Sequence, residues 1–189
     1  MTYEEDIKES LKTLRQGGII LYPTDTIWGL GCDPTNETAV SKIFKIKARD
    51  ESKSLIILVD GLSMIERYVG DCPEIVFELA GVSDSPLTII YPKGKNLAEG
   101  VCGKDNSIAI RICHDEFCSE LITRFRKPIV STSANSSGSP SPANFKEIEK
   151  TLIEKVDFVV NYRQNDRSNS IASPVIKVNP DGTIKIIRN

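Results

Sequence analysis

The amino-acid sequence predicts an α/β fold, with one domain spanning residues 1–189 and a twisted sheet of parallel and antiparallel strands flanked by helices. Helical and strand patterns alternate through the early part of the chain, as they do where helices connect parallel strands. The fully apolar run at residues 55–59 indicates a strand buried on both faces. A hairpin pattern near the end of the chain adds antiparallel strands, so the sheet should be mixed.

The composition is typical of a globular protein, since 40% of the 189 residues are hydrophobic and 26% are charged. The formal net charge of -2 gives no overall attraction to nucleic acid or anionic membranes, so such binding would need a local patch. No apolar run approaches the roughly 20 residues of a membrane span, and the acidic start is unlike a signal peptide. We therefore expect a cytoplasmic protein with no membrane segment.

The cysteines form no Cys-x-x-Cys pair, which is typical of reduced thiols in a reducing compartment. They are Cys32, Cys72, Cys102, Cys113 and Cys118. Only Cys113, His114 and Cys118 are close enough in sequence to suggest zinc, and no fourth ligand is near them. His114 is the only histidine, and its side chain should point away from that of Cys113. Neither a metal site nor a histidine-dependent nucleophile is predicted.

Several segments have apolar residues at helical spacing. The first covers residues 4–15 and ends at a glycine pair suited to the left-handed stop of a helix. The second begins at about Asn36, whose side chain can cap a helix, and carries basic residues to about Lys47. The full set of predicted helices is 4–15, 36–47, 62–69, 74–80, 115–126 and 145–155.

Strands are predicted where short apolar or alternating runs end at turn residues. Residues 19–22 are apolar throughout and stop at a proline, whereas residues 107–111 alternate and place Arg111 on the face away from two isoleucines. An Asn-Pro-Asp-Gly turn at residues 179–182 separates the strands of the final hairpin. The full set of predicted strands is 19–22, 55–59, 87–91, 107–111, 128–130, 158–160, 175–178 and 184–187.

A loop predicted over residues 23–31 carries hydroxyls, a carboxylate, the only tryptophan and two glycines that permit close backbone approach. It matches neither the phosphate-binding loop nor the three-glycine dinucleotide motif. Trp28 could equally be a core residue.

A second polar segment, residues 131–142, follows an apolar strand and contains seven serines and threonines. Amides and hydroxyls at a strand end can bind phosphate or carboxylate oxygens. The alternative is a flexible linker. Because nothing after this segment is large enough to form another domain, a binding site is the favoured interpretation.

Lys47 and Arg49 close the second predicted helix. Basic side chains near a helix C-terminus complement the helix dipole, and spacing alone favours this simple explanation. Side chains two apart on a helix diverge by roughly 200°, so Lys47 and Arg49 could bind one anion only if the helix ends near Lys47. The polar residues 50–54 that follow favour such an end.

Four segments occur in a fixed order along the chain. They are Tyr-Pro-Thr-Asp-Thr-Ile-Trp-Gly-Leu-Gly at residues 22–31, Lys47-x-Arg49, Ser107-x-Ala109-x-Arg111, and Pro-Ile-Val-Ser-Thr-Ser-Ala-Asn at residues 128–135. Each segment is weak evidence by itself, and their common order is specific. Together they resemble the YrdC-like family of threonylcarbamoyl-AMP synthases, in its short bacterial form, which implies a YrdC-like fold.

The resemblance implies a nucleotidyltransferase that joins L-threonine, bicarbonate or carbon dioxide, and ATP, giving threonylcarbamoyl-AMP and pyrophosphate. This reaction is the first step towards threonylcarbamoyladenosine in tRNA. Threonine carbamate would itself attack the α-phosphate, so no histidine base is needed. Mg²⁺ would accompany the triphosphate. Downstream tRNA-modification enzymes are the implied partners, together with a contact to RNA or tRNA.

The resemblance also implies a set of site residues. Lys47 and Arg49 should face the nucleotide phosphates as catalytic groups, and Arg111 should pair bidentately with the threonine carboxylate. The implied ATP-binding residues are Arg49, Lys53, Ser107, Ser133, Asn135, Ser141 and Arg188. The implied threonine-binding residues are Thr26, Arg111, Ser131 and Ser173.

The sequence departs from the family pattern in ways that leave a diverged paralogue open. Asp50 stands where a proline is usual, and a polar tract at residues 161–170, expected to be mobile, replaces a glycine-rich segment. The alternative function is a non-catalytic RNA-, tRNA- or nucleotide-binding protein. Its concave basic surface would comprise Lys42, Lys45, Lys47, Arg49 and Arg111. The acidic pI of about 5.6 argues against RNA binding.

Overall fold

The computed structural model describes residues 1–50, 53–82, 85–166 and 171–189. The end of the polar tract that was expected to be mobile, residues 167–170, lies outside the described residues. The strands in chain order are β1 (Ile20–Tyr22), β2 (Gly29–Gly31), β3 (Ile56–Val59), β4 (Thr88–Tyr91), β5 (Ile108–Ile112), β6 (Ile129–Ser133), β7 (Phe158–Val159), β8 (Val175–Val178) and β9 (Ile184–Arg188). The helices are α1 (Tyr3–Arg15), α2 (Glu37–Lys47), α3 (Leu62–Tyr68), α4 (Ile75–Val82), α5 (Glu116–Phe125) and α6 (Lys150–Ile153).

Within the described ranges, the strands form a sheet in the order β7-β1-β2-β6-β3-β5-β4-β8-β9. The neighbours β1 and β7, β3 and β5, and β4 and β8 are parallel. The other neighbouring pairs are antiparallel. This mixed sheet with helices confirms the predicted α/β class, and the β8–β9 hairpin confirms the strand–turn–strand pattern.

Helix α2 begins and ends where its sequence indicates. The Asn36 side chain accepts a hydrogen bond of 3.0 Å from the Ala39 amide, which satisfies one free donor of the first turn. The helix ends at Lys47 because Ala48 adopts a left-handed conformation with φ 47° and ψ 43°. The prediction that the helix must stop near Lys47 is confirmed.

Strand β2 was predicted as part of a loop, and this prediction was wrong. Its two glycines have low strand propensity, so the pattern gave no strand signal. The sheet needs them, because a Cβ on Gly31 would lie 2.6 Å from Cε1 of Tyr22 and 3.1 Å from the Val130 carbonyl oxygen. The Tyr22 ring therefore occupies the space that a side chain at Gly31 would take, and its hydroxyl donates to the Val130 carbonyl at 3.1 Å.

Most other boundaries shift by one or two residues, and two elements differ from the prediction by more than that. Strand β6 continues through the hydroxyl residues to Ser133, because Ser131 pairs with Ile56 on β3 and Thr132 pairs with Leu30 on β2. The predicted helix over residues 145–155 is divided into a short 3-10 helix, Phe145–Glu147, and α6. Ile148 separates them because its backbone is extended and its side chain is buried.

The described residues include no helix that is long and apolar enough to cross a membrane. All five cysteines are free thiols, as predicted. His114, the only histidine, is exposed.

Candidate functional site

A cleft of about 170 Å³ lies where β2, β6, β3 and β5 come together. Strand β6 is central to it, because β2 and β3 pair with its two edges. Ser131 and Ser133 are two residues apart on β6 and so share a face of the sheet. Residues distant in sequence line the cleft: Thr26, Ile27, Trp28, Gly29, Arg49, Ser54, Leu55, Ile56, Arg111, Ser131, Thr132, Ser133, Ser141, Ala172, Ser173 and Arg188.

Every residue of the predicted threonine pocket lines this cleft. They are Thr26, Arg111, Ser131 and Ser173. Nη1 of Arg111 donates to Oγ of Ser173 at 3.3 Å, and Nη2 lies 3.5 Å from Oγ1 of Thr24. The hydroxyls of Thr24 and Thr26 are hydrogen bonded at 3.1 Å. Arg111 therefore joins the loop after β1 to the segment before β8, although these segments are far apart in sequence.

Arg111 also forms an ion pair that the sequence interpretation missed. Its Nη2 lies 2.8 Å from Oδ1 of Asp25, and the two side chains are only 4% and 10% exposed. A buried guanidinium needs a carboxylate partner, and Asp25 is the only acidic residue in the loop at residues 23–31, so this pair could have been inferred. Among the described residues, the buried Nε of Arg111 has no hydrogen-bond partner. That donor is available to a bound carboxylate.

The predicted nucleotide residues divide into two groups. Arg49, Ser133, Ser141 and Arg188 line the cleft, whereas Lys47, Lys53, Ser107 and Asn135 do not. Arg49 donates from Nη2 to the Ser54 carbonyl at 2.9 Å, and its buried Nε has no partner in the part of the chain that the structure describes. Burial lowers the pKa of Arg49 from its usual value, because the charged form is less well solvated there.

Arg188 reaches the cleft from β9. Its Nε and Nη2 donate to the Ser173 carbonyl oxygen at 3.0 and 2.7 Å. Since a carbonyl oxygen carries no formal charge, these bonds orient Arg188 without neutralising it. The Arg49 bond to Ser54 has the same property, since its acceptor is also an uncharged carbonyl oxygen.

The Lys47 ammonium is held inside the protein. Its side chain is buried, and Nζ donates to the carbonyl oxygens of Ser133 and Asn135, the latter at 2.6 Å. A third acceptor, Oδ1 of Asn135, lies at 3.3 Å. Burial and the charge of Arg49 lower the pKa of Lys47 to about 8, so the amine is still mostly protonated at neutral pH.

The remaining predicted residues, Ser107 and Lys53, are not among those that line the cleft. Oγ of Ser107 donates to Oδ1 of Asp105 at 2.6 Å, and Asp105 also accepts from Lys177 at 2.6 Å. Lys53 is exposed. The Lys177 ammonium and the Ser107 hydroxyl hold the pKa of Asp105 below its usual range.

Trp28 is both a core residue and part of the cleft, the two interpretations that its sequence position allowed. It is 6% exposed and packs against Phe145 with ring centroids 4.8 Å apart, as a core residue would. It also lines the cleft. Thr132 lies in the polar segment 131–142 that was predicted as a binding site, whereas Ser54 and Ala172 line the cleft without having been predicted as site residues.

The five basic residues of the alternative RNA-binding surface are not all available at the surface. Lys47 and Arg111 are buried, and Nζ of Lys42 donates to the Gly17 carbonyl at 3.3 Å. Within the described part of the chain, no group of three or more His, Cys, Asp or Glu residues could hold a metal ion.

The fold and the cleft define a YrdC-like α/β protein. The family model described as "Telomere recombination", which covers Sua5, YciO and YrdC proteins, matches residues 12–189. The chain therefore belongs to the Sua5/YciO/YrdC family. It is 33% identical to the threonylcarbamoyl-AMP synthase of Pseudomonas aeruginosa, over 84% of this chain and 85% of that protein. It is also 33% identical to the enzyme of the same name from Pseudoalteromonas translucida, over 85% and 88%.

Solved structures give the same result. P. abyssi Sua5 complexed with L-threonine matches with a TM-score of 0.82 and 27% identity, covering 94% of this chain and 52% of that chain. A variant P. abyssi Sua5 structure matches with a TM-score of 0.88 and 26% identity over 57% of that chain. The chain thus spans about half the length of these Sua5 chains. E. coli YciO, at 22% identity and a TM-score of 0.82, shares the fold.

Proposed function

We propose that this protein is an L-threonylcarbamoyladenylate synthase, a nucleotidyltransferase that makes threonylcarbamoyl-AMP for the modification of tRNA. The observation that carries the proposal is the cleft, which gathers Arg111, Ser131 and Ser173 beside Arg49 and Arg188. A small carboxylate and a polyphosphate both need such positive charge. The names of the Pseudomonas and Pseudoalteromonas relatives, and the threonine bound by a Sua5 protein, support the same assignment.

The threonine end of the cleft suits a small amino acid. The unpartnered Nε of Arg111 would donate to the threonine carboxylate, while Asp25 holds the other side of the guanidinium. The hydroxyls of Thr26, Ser131 and Ser173 belong to residues that line the same cleft, and they can bond the remaining polar atoms of the substrate.

The reaction itself needs charge stabilisation more than proton transfer. The neutral threonine amine combines with bicarbonate, releasing water, or with carbon dioxide, releasing a proton, and gives threonine carbamate. An oxygen of this carbamate attacks the α-phosphorus of ATP. The bond from that phosphorus to the bridging oxygen of the β-phosphate breaks, and pyrophosphate leaves. Arg49 and Arg188 would stabilise the negative charge that develops on the departing phosphates. Mg²⁺ would enter as part of the nucleotide substrate, because triphosphates bring it with them. A tRNA-modifying enzyme would then consume the product.

The test is pyrophosphate release from purified protein. We expect release only when ATP, L-threonine and bicarbonate are all present, and we expect mass spectrometry to detect the adenylate product. Serine in place of threonine is the matched substrate control, because it lacks only a methyl group. If calorimetry detects ATP binding but no pyrophosphate is released, the nucleotide-binding paralogue is supported instead. If the protein neither binds ATP nor releases pyrophosphate, the proposed function is wrong.

A further inference from the structure

The Lys47 side chain lies at the end of α2 and yet does not line the cleft. Its ammonium group has three N–H donors. The acceptors around it are the Ser133 carbonyl, the Asn135 carbonyl and Oδ1 of Asn135. All three donors can therefore be used within the protein, and a phosphate oxygen could be bound only by breaking one of these bonds.

Asn135 is likewise engaged on both sides of its amide. Its Oδ1 accepts from Lys47, and its Nδ2 donates to the Ser139 carbonyl at 2.5 Å. The backbone adds another link, because the Ser137 amide donates to the Lys47 carbonyl at 2.9 Å. The end of α2 and the turn after β6 are thus joined by both side-chain and main-chain bonds.

This bonded turn lies between two residues that do line the cleft. Ser133 precedes it at the end of β6, and Ser141 follows it. The positions of these two serine hydroxyls depend on the path of the backbone between residues 133 and 141. A change in the contacts of Lys47 would therefore alter the cleft wall without removing a group from it.

Arg49 has the opposite arrangement. It is two residues beyond Lys47, after the left-handed Ala48 has ended the helix, and it lines the cleft. Only one hydrogen bond from Nη2 to the Ser54 carbonyl engages its guanidinium among the contacts of the described residues, and its Nε has no partner. Within the described part of the chain, Nε of Arg49 is therefore left for a ligand.

We propose that Lys47 is a positioning residue, whose ammonium shapes the turn at residues 133–139, while Arg49 is the cation that contacts the nucleotide phosphates. The part that concerns the nucleotide rests on the proposed function, and the part that concerns the turn does not. The two basic residues of the Lys-x-Arg pair thereby have separate roles.

The first experiment uses the ligand-free protein and is independent of the proposed function. Amide hydrogen exchange is measured in Lys47→Met, which keeps the length of the side chain and removes its donors. We expect the Asn135 and Ser137 amides to exchange at least about 10-fold faster than in the wild type. Arg49→Met is the matched control and should leave these amides unchanged. Unchanged exchange in Lys47→Met would overturn the proposal.

The second experiment measures ATP affinity by calorimetry in a double-mutant cycle. Lys47→Met and Asn135→Ala should each weaken ATP binding about 10-fold. The ATP affinity of the double variant should be no lower than that of the single variant with the lower affinity, because both substitutions disrupt the same turn. The losses from Arg49→Met and Asn135→Ala should multiply instead. If Lys47 only stabilised the fold, Lys47→Met would lower the free energy of unfolding, and its effect on ATP affinity would not be coupled to that of Asn135→Ala.

Each outcome decides one point. If the Lys47→Met and Asn135→Ala losses multiply, Lys47 acts directly on the phosphates and the proposal is wrong. If the wild type binds no ATP, the proposed function fails, and hydrogen exchange alone decides the role of Lys47. If Lys47→Met does not fold, Asn135→Ala provides the exchange test, since it removes the Lys47 side-chain acceptor. The Ser137 amide should then exchange faster, and an unchanged rate would overturn the proposal.

Discussion

At the scale of single residues, the pair of Arg111 and Asp25 explains how a buried positive charge can serve a binding site. Burying one charge alone is costly, and a paired carboxylate offsets that cost. The bond to Asp25 involves Nη2, and the bond to Ser173 involves Nη1, so the guanidinium plane is held from two sides. The orientation of the unpartnered Nε is therefore set before a ligand arrives.

Arg111→Lys tests this geometry, because lysine keeps the charge and loses the planar fork. We expect threonine affinity to fall about 100-fold in calorimetry, while ATP affinity changes by no more than about twofold. Arg124→Lys is the matched control, since Arg124 forms ion pairs with Glu4 and Glu120 outside the cleft and is 39% exposed. Equal losses of threonine and ATP affinity in Arg111→Lys would contradict a role confined to the carboxylate.

At the scale of secondary-structure elements, β2 shows how a strand can depend on residues that disfavour strands. Its Gly31 leaves room for the Tyr22 ring on the neighbouring β1. Its Gly29 brings the backbone close to Ser131, since a Cβ there would lie 3.1 Å from Oγ of Ser131. Because of these glycines, β2 can pair within the sheet and also form part of the cleft wall.

Gly31→Ala should destabilise the protein by about 2 kcal/mol, because the new methyl group must displace an aromatic ring held by its hydroxyl bond to Val130. In thermal unfolding this corresponds to a fall in Tm of about 4–8 °C for a protein of this size. Gly61→Ala provides the control, since a Cβ at Gly61 meets nothing within 4 Å, and its Tm should be nearly unchanged. Similar Tm values for the two variants would show that Tyr22 can move aside.

Sequence patterns predicted the elements whose signals are local. The caps and apolar spacing identified α2 from Asn36 to Lys47, and the turn at residues 179–182 identified the final hairpin. They did not predict β2 or the continuation of β6 to Ser133, because both depend on pairing with strands distant in sequence.

The same division applies to the site. The ordered family motifs identified residues that line the cleft, such as Thr26 and Arg111. They gave no indication that Lys47 points into the turn after β6, because nothing in the spacing of Lys47 and Arg49 distinguishes an ammonium that binds carbonyl oxygens from one that binds phosphate. That distinction requires the positions of acceptors from another part of the chain.

At the scale of the whole molecule, charge is distributed unevenly. The formal net charge is -2, and yet Arg49, Arg111 and Arg188 all line one cleft. Asp25 pairs with Arg111, whereas the acceptors that Arg49 and Arg188 bond among the described residues are uncharged carbonyl oxygens. An anion is therefore attracted by a local field and receives no help from the charge of the protein as a whole.

Salt should consequently weaken the binding of ATP much more than that of threonine. We expect a rise from about 50 to about 500 mM salt to lower ATP affinity about 10-fold, since the Debye length shortens, and to change zwitterionic threonine binding less than about twofold. Calorimetry measures both affinities, and Arg188→Leu should show a weaker salt dependence for ATP. An equal effect of salt on both ligands would contradict a phosphate site built on Arg49 and Arg188.

The central position of β6 also determines the order in which the molecule can fold. Its two neighbours, β2 and β3, come early in the chain, whereas β6 follows them after a long intervening segment. Until β6 arrives, β2 and β3 belong to separate fragments, and closing such a long loop slows folding. Because Ser131 and Ser133 lie on β6, a refolding chain has no cleft until this strand is paired. The binding site and the complete sheet therefore form in the same step.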